Sequence, residues 1–222
     1  MSSNEHAEYN RLADARLTTC NISDSLDKFG YREQVTFNRL ISLQPKDRVM
    51  GRARTVKFED DSESDPKNPY DDMIGFIDSV EPGEIVVIAT GRSNKTAFWG
   101  ELFSAAAKAR GALGMITDGC IRDTDKILNV DFPVYSIGHR PLDYRGRMKV
   151  TEIQTLVTLE GVDIHPGDLL MADNDGVVVI PKEIEKDALE AARKRVMIES
   201  TVLTELQAGS TLREVWDKHH VL

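Results

Sequence analysis

The sequence has 222 residues, with 28 Lys+Arg against 37 Asp+Glu, a formal charge of -9 and 41% apolar residues. Such an acidic balance repels phosphate backbones, so no nucleic-acid partner is expected. No apolar run approaches the ~20 residues of a membrane-spanning helix, and the opening MSSNEHAEYN lacks the basic-then-apolar layout of a signal peptide. A cytoplasmic protein without a membrane partner is the expectation. Cys20 and Cys120 form no C-x-x-C pair, which suggests neither a zinc knuckle nor a disulfide framework.

In chain order, residues 9 to 30 read as two short helices split near Thr19, with Ser23 as the cap of the second and Gly30 as its stop. Residues 49 to 58, VMGRARTVKF, alternate as a half-exposed strand does. The following EDDSESDPKNPYDD holds seven acids and two prolines, which forbids a packed element and reads as a mobile surface loop. Met73 to Val80 form a short amphipathic helix. Glu81-Pro82-Gly83-Glu84 then turns the chain into the apolar strand IVVIAT, and His165-Pro166-Gly167-Asp168 repeats that pattern before LLMAD.

WGELFSAAAKAR, residues 99 to 110, is a helix stopped by Gly111, and ALGMIT after it is a buried strand closing on Asp118-Gly119. Further strands are expected at 133–137, 149–159, 169–173 and 176–180, with Asp173 and Asp175 in a hairpin turn. Lys182 to Gln207 reads as one long helix stopped near Gly209, and His219-His220 as a disordered tail. A strand-rich core flanked by helices is an α/β protein. One domain over residues 1–222 is expected, its core spanning about 15–181 and its C-terminal helix about 182–207.

The chemistry concentrates in residues 100 to 123. Glu101 stands twenty residues before Arg122-Asp123. A ten-residue helix travels ~15 Å, and a six-residue strand returns roughly 20 Å, so both ends finish at one edge. That edge joins the free N–H groups of a first helical turn, a guanidinium fork and two carboxylates. Acids without His or Cys beside them suit a hard divalent ion that keeps several waters, Mg²⁺ or Mn²⁺ rather than Zn²⁺. Arg122 and Asp123 share a site only from a loop, because neighbours on a strand face opposite ways. A surface turn with Glu101 merely complementing its helix dipole is the plainer alternative. No G-x-G-x-x-G, Walker A, G-x-S-x-G or H-E-x-x-H motif is present, which removes the main support for nucleotide binding, serine hydrolysis and zinc proteolysis.

The string WGEL…ARGALGMITDGCIRD resembles the RraA-like superfamily, which includes class II 4-hydroxy-4-methyl-2-oxoglutarate / 4-carboxy-4-hydroxy-2-oxoadipate aldolases and a ribonuclease regulator. SDSLDKFG, GRARTV, EPGEIVVI and PGDLLMADNDGVVVIP extend the likeness over about residues 15 to 205. The resemblance implies a swivelling β/β/α fold assembled as a homotrimer or hexamer with sites between subunits. It implies a Mg²⁺- or Mn²⁺-dependent lyase that cleaves a 2-oxo acid, including oxaloacetate by decarboxylation, and releases pyruvate. In that picture Asp123 holds the metal directly and Glu101 through water. Arg122 stabilises the enolate, and the backbone at Gly100, Glu101, Leu102 and Phe103 receives the substrate carboxylate. Glu199, from a neighbour's C-terminal helix, is a candidate for polarising a catalytic water. The alternative within the resemblance is a non-catalytic regulator that binds a ribonuclease or helicase.

Two segments depart from the family pattern, the acidic loop 59–72 and SIGHRPLDYRGR, and these are where substrate selectivity is expected to be decided. Arg140, Arg145 and Arg147 near His139 could form an anion patch for a second substrate carboxylate, but a solvated loop is the favoured reading. Lys95 and Lys108 are weighed as Schiff-base lysines and set aside as solvated.

Overall fold

The computed structural model describes residues 16–37, 40–61 and 67–222. Its first element is α1 (Thr19–Lys28). Thr18 caps it through a reciprocal pair with Asn21, so the cap lies five residues before the expected Ser23. The hydroxyl of Thr18 accepts the Asn21 N–H at 3.2 Å, satisfying an N–H that the helix itself leaves without a partner. The helix expected before Thr19 falls largely outside the described residues.

Strand β1 (Ile41–Ser42) precedes β2 (Val49–Asp60), the longest strand. After it come α2 (Asp71–Asp78), β3 (Glu84–Ala89), β4 (Ala97–Trp99), α3 (Glu101–Ala109), β5 (Gly114–Thr117) and β6 (Cys120–Ile121). Then follow α4 (Thr124–Val130), β7 (Val134–Ser136), β8 (Gly138–His139), β9 (Met148–Ile153), β10 (Val157–Leu159) and β11 (Val162–Ile164). The chain closes with β12 (Leu169–Ala172), β13 (Val177–Ile180), α5 (Glu185–Gln207) and α6 (Leu212–His219).

The large sheet runs β1-β7-β5-β3-β2-β12-β13, with β9 also on β2, and the small one runs β4-β6-β8. Strand β2 is longer than any one partner and pairs with β12, β3 and β9 along successive stretches of its length. It is therefore mostly buried rather than half-exposed. Alternate residues of β3 enter opposite cores. Val86 and Ile88 join Met73, Phe76 and Ala107 of the helical layer, whereas Ile85 and Val87 join Val157, Leu159, Val162 and Ile164 of the β10–β11 hairpin. Burial on both faces explains its unbroken apolar run. In a third cluster Ile22 and Leu26 of α1 meet Ala188, Leu189, Ala192 and Val196 of α5 over β12 and β13.

The two Pro-Gly turns are equivalent in form: Gly83 and Gly167 have φ of 90° and 87°. Each abuts β2, where the Gly83 carbonyl accepts from Arg52 N–H and Gly167 N–H donates to the Ala53 carbonyl. Four expectations need correction. The 149–159 strand is two, broken at Gln154, which has φ 55°. Helix α4 appears where only a loop is expected. The strand leading into the acidic segment continues to Asp60, and buried Asp61 ion-pairs with Lys149 at 3.6 Å, so that segment's near end is packed, while residues 62–66 lie outside the described part. The terminal residues form α6, not a disordered tail. Its Thr211–Glu214 capping box closes one end, and His219 meets Glu205 at 3.1 Å at the other. No helix among the described residues is long and apolar enough to cross a membrane.

Candidate functional site

The small sheet builds the site. Strands β4 and β6 are parallel neighbours, with Trp99 opposite Ile121, and each runs directly into a helix. Gly100 caps α3 immediately after β4, and Asp123 caps α4 one residue beyond β6, with Arg122 between. The Arg122 N–H donates to the Trp99 carbonyl at 2.9 Å, extending the ladder by one bond before the strands part. Two helix N-termini and the Arg122-Asp123 pair thus converge at the carboxyl ends of parallel strands, a common place for ligands in α/β proteins. The return path of helix and strand brings the chain back to this edge, but the β4–β6 pairing sets the contact.

Glycine at 100 is a requirement of that contact. A Cβ there would lie 2.8 Å from Asp123 Oδ2 and 3.2 Å from Arg122 Cγ. Gly119 serves a related end, since a Cβ on it would meet the Phe98 ring at 2.6 Å where β5 gives way to β6. Buried Asp118 beside it holds the facing turn, accepting hydrogen bonds from Thr90 N–H and hydroxyl at 2.6 and 2.9 Å and from Arg92 N–H at 2.7 Å.

Asp123 has φ 56° and ψ 36°, a left-handed conformation that costs a non-glycine residue energy. It occupies an N-cap position without making a side-chain capping bond. Its carboxylate instead turns toward Gly100 and stands 3.7 Å from Arg122 Nε. Glu101, in the first turn of α3, is held by Lys126 Nζ of α4 at 3.2 Å.

Arg122 has a second partner that the sequence did not single out. Its Nη1 donates to Asp143 Oδ2 at 2.8 Å, and the Tyr70 hydroxyl donates to the same oxygen at 2.7 Å. Asp143 Oδ1 accepts the Arg145 N–H at 3.0 Å. Burial would raise the Asp143 pKa, but the Arg145 N–H, the Tyr70 hydroxyl and Arg122 together outweigh it and hold the carboxyl below its ordinary range. A bridge between Ala97 and Asp143 ties this segment to β4.

These groups open into a cavity of about 400 Å³ whose lining combines Gly100, Arg122, Asp123 and Asp143 with the apolar Ile74, Leu102, Phe103 and the Tyr144 ring. Tyr144 is packed edge-on to Phe58 and Tyr70. Its buried hydroxyl has no hydrogen-bond partner among the described residues, and burial raises its pKa, keeping it protonated.

Of the expected site residues, Gly100, Leu102, Phe103, Arg122 and Asp123 line this cavity, whereas Glu101, next to Gly100 in the chain, is not in its lining and pairs with Lys126. Glu199 does not join them within the chain. Its carboxylate sits 2.7 Å from Arg195 Nε and accepts from Asn21 Nδ2 at 2.7 Å, beside a separate cleft between α1 and α5. The arginines near His139 are not in the lining of this cavity. Arg140 is tied to the Asn94 carbonyl, and Arg147 to the carbonyls of Asp143 and Arg145. Lys95 pairs with Asp60, and Lys108 binds the carbonyls of Val130 and Asp131.

Comparison with known proteins bears on this arrangement. The chain is 26% identical over 205 residues to Protein DlpA of Legionella pneumophila, covering 90% of this chain and 32% of DlpA, so it spans about a third of that protein. It is 32% identical over 179 residues to a Halalkalibacterium halodurans protein named "Putative 4-hydroxy-4-methyl-2-oxoglutarate aldolase", covering 80% of this chain and 79% of that one. Streptomyces coelicolor RraAS2, described as an unusual member of the RNase ES inhibitor RraA protein family, shares the fold with a TM-score of 0.77 at 24% identity, over 86% of this chain and 93% of its own. The family model described as RraA-like, Aldolase/RraA, matches residues 19–179, a stretch that includes every residue of the cavity, and the chain belongs to that family.

Proposed function

We propose that the protein is a divalent-cation-dependent carbon–carbon lyase that cleaves a 2-oxo acid and releases pyruvate. The substrate would be an aldol of the 4-hydroxy-4-methyl-2-oxoglutarate type, or oxaloacetate by decarboxylation. The observation that carries the reading is the convergence of the α3 N-terminus with Arg122 and an uncapped Asp123 carboxylate in one cavity. The name of the Halalkalibacterium halodurans relative supports it.

The donor set fits a hard divalent ion. Asp123 offers a carboxylate whose only ion pair among the described residues is at 3.7 Å, and Glu101 a second, in a half-exposed setting where an ion keeps most of its waters. Among the described residues no group of three or more His, Cys, Asp or Glu side chains is placed to hold a metal ion, so water or substrate would have to supply the remaining ligands. When bound by Asp123 and Glu101, such an ion supplies positive charge that favours the enolate over the starting ketone. Charge counting agrees with a need for it. Glu101, Asp123 and Asp143 outnumber Arg122 and Lys126 at this edge, so an anionic substrate enters an already negative site.

The chain's own groups then act on the substrate. The N–H groups opening α3 receive the substrate carboxylate, since a first helical turn presents unpaired donors and the positive end of the dipole. Arg122, fixed by Asp143, directs its remaining N–H groups to the 2-oxo oxygen, where negative charge develops as the bond breaks. In an aldol substrate the C3–C4 bond breaks with its electron pair left on C3. The C4 hydroxyl proton passes to water, C4 becomes a carbonyl, and C3 takes a proton from water to give pyruvate. No lysine adduct is involved. In a trimer or hexamer with sites between subunits, Glu199 of a second copy would complete the site.

A lactate-dehydrogenase-coupled assay of pyruvate release from oxaloacetate and 4-hydroxy-4-methyl-2-oxoglutarate, with Mg²⁺ or Mn²⁺ and with chelator, tests this. Activity should vanish with chelator and fall roughly 100-fold or more in Arg122→Ala and Asp123→Ala. Activity that survives chelation, or is unchanged in both variants, removes the reading.

A further inference from the structure

Glu101 follows Gly100 in the chain, yet it takes no part in the lining of the cavity, and its carboxylate stands 3.2 Å from Lys126 Nζ. The lyase reading asks the same carboxylate to help hold a divalent cation. Resting on that reading, we propose that Lys126 is a positioning residue that rivals the cation for Glu101: the ammonium keeps the carboxylate turned from the cavity, and cation binding draws Glu101 away from Lys126.

The fold itself carries Lys126 to this place. Helices α3 and α4 both begin at the β4–β6 edge. Their far ends are tied by Lys108 of α3, which donates to the carbonyls of Val130 and Asp131 at 2.6 and 2.7 Å. Buried Ile127 docks α4 in the same core as Ala107 of α3. With both ends of the helix pair fixed, Lys126, the residue before Ile127, is set against the first turn of α3 rather than swept through solvent. The backbone also joins it to the other carboxylate of the lyase reading, because the Lys126 N–H donates to the Asp123 carbonyl at 2.9 Å. Residues three apart on a helix are surface neighbours. One cation thus shares a turn with Asp123 and pairs with Glu101, so it both occupies a carboxylate that a divalent ion would use and repels that ion. The hold is weak enough to exchange. The side chains of Lys126 and Glu101 are 63% and 35% exposed, and exposed ion pairs shift an equilibrium by no more than a few-fold.

The test is Mn²⁺ binding to the whole chain, without substrate, by titration calorimetry at low ionic strength, where such pairs are least screened. Lys126→Met keeps the stem and removes the charge, and the Kd for Mn²⁺ should fall roughly 3-fold, the scale of an exposed ion pair. Lys126→Arg, which keeps a cation beside Glu101, should stay near the parent's Kd. In a Glu101→Gln background no carboxylate is contested, and adding Lys126→Met should change Kd little. A Kd that is unchanged or raised in Lys126→Met, or that falls as far in Lys126→Arg, makes the pair a clamp between two helices and overturns the inference, with the lyase reading intact. A gain that persists undiminished in Glu101→Gln means that Lys126 repels the cation through space without competing for Glu101, and overturns it too. Failure of the parent both to bind Mn²⁺ and to release pyruvate from oxaloacetate overturns the lyase reading and the inference together.

Discussion

Arg122 and Asp143 form a 2.8 Å ion pair across the cavity wall, and Tyr70 hydrogen-bonds the same carboxylate oxygen at 2.7 Å. Arg122 is a long side chain at the end of a two-residue strand, and its own backbone gives the guanidinium little direction. Asp143 supplies that direction. Replacing Asp143 with Ala should therefore lower kcat more than it raises KM, because the disordered guanidinium still attracts substrate but no longer meets the developing enolate. A charge-assisted hydrogen bond contributes about 1.5–3 kcal/mol, or roughly 10- to 100-fold in rate. Tyr70→Phe, which leaves the ion pair in place, should cost less than Asp143→Ala. Steady-state kinetics on both variants checks the order.

The same pair sets a pH dependence. Asp143 titrates below the ordinary carboxylate range in the folded chain, so its contribution is fully present above the unfolded carboxylate pKa, about 3.9, and is lost as pH falls through the lower folded value. The Arg122–Asp143 pair should thus outlast ordinary carboxylates on acidification. Asp143→Asn should flatten the acid limb of a stability-against-pH curve just below that unfolded value, with little change in its shape above pH 5. A steeper acid limb in the variant would contradict the assignment.

Gly100 is the point where α3 and Asp123 come closest. Alanine there would push a methyl group to 2.8 Å from Asp123 Oδ2, inside van der Waals contact, so Asp123 must rotate or the β4–β6 ends must spread. Gly100 itself has extended backbone, φ -161°, which alanine adopts freely, so folding should survive while the site does not. The expected outcome is a loss of roughly 100-fold or more in kcat/KM with a melting temperature close to the parent's. Near-normal turnover in Gly100→Ala would show that Asp123 is not held where the site needs it.

Much of this site was legible in the sequence because it depends on local signals. The Ala-rich helix with Gly111 behind it, the apolar β5 and the Asp118-Gly119 stop place Glu101 near Arg122-Asp123 through chain length alone. What escaped was non-local. Tyr70 and Asp143 are 73 positions apart, and only the tertiary fold joins them. Helix α4 has seven residues and begins at an acid in left-handed conformation that makes no capping bond, so none of the usual start signals marks it. The Thr18 cap could have been found, since Thr18-x-x-Asn21 holds two good capping residues, but Ser23 nearer the apolar run competed for the role. In α6 the Thr211…Glu214 capping box was present in the sequence, and the pair of terminal histidines drew attention to chain-end disorder instead.

Asp173 offers a test of the fold away from the cavity. Its carboxylate, 5% exposed, accepts the Thr19 N–H at 2.9 Å, the Thr19 hydroxyl at 2.7 Å and the Asp175 N–H at 2.9 Å. It thereby ties the first turn of α1 to the β12–β13 hairpin, and α1 in turn covers α5 through Ile22 and Leu26. Asp173→Ala leaves two donors of buried Thr19 without partners, each costing about 1–3 kcal/mol. The expected loss is roughly 2–5 kcal/mol, a fall in Tm of roughly 5–15 °C for a chain of this length. Hydrogen exchange should quicken first in α1 and the facing turns of α5, while the specific activity of the folded variant at low temperature stays at the parent's level. Uniformly faster exchange, with β4 and β6 affected as much as α1, would mean that the helix is not held to the hairpin by this one carboxylate.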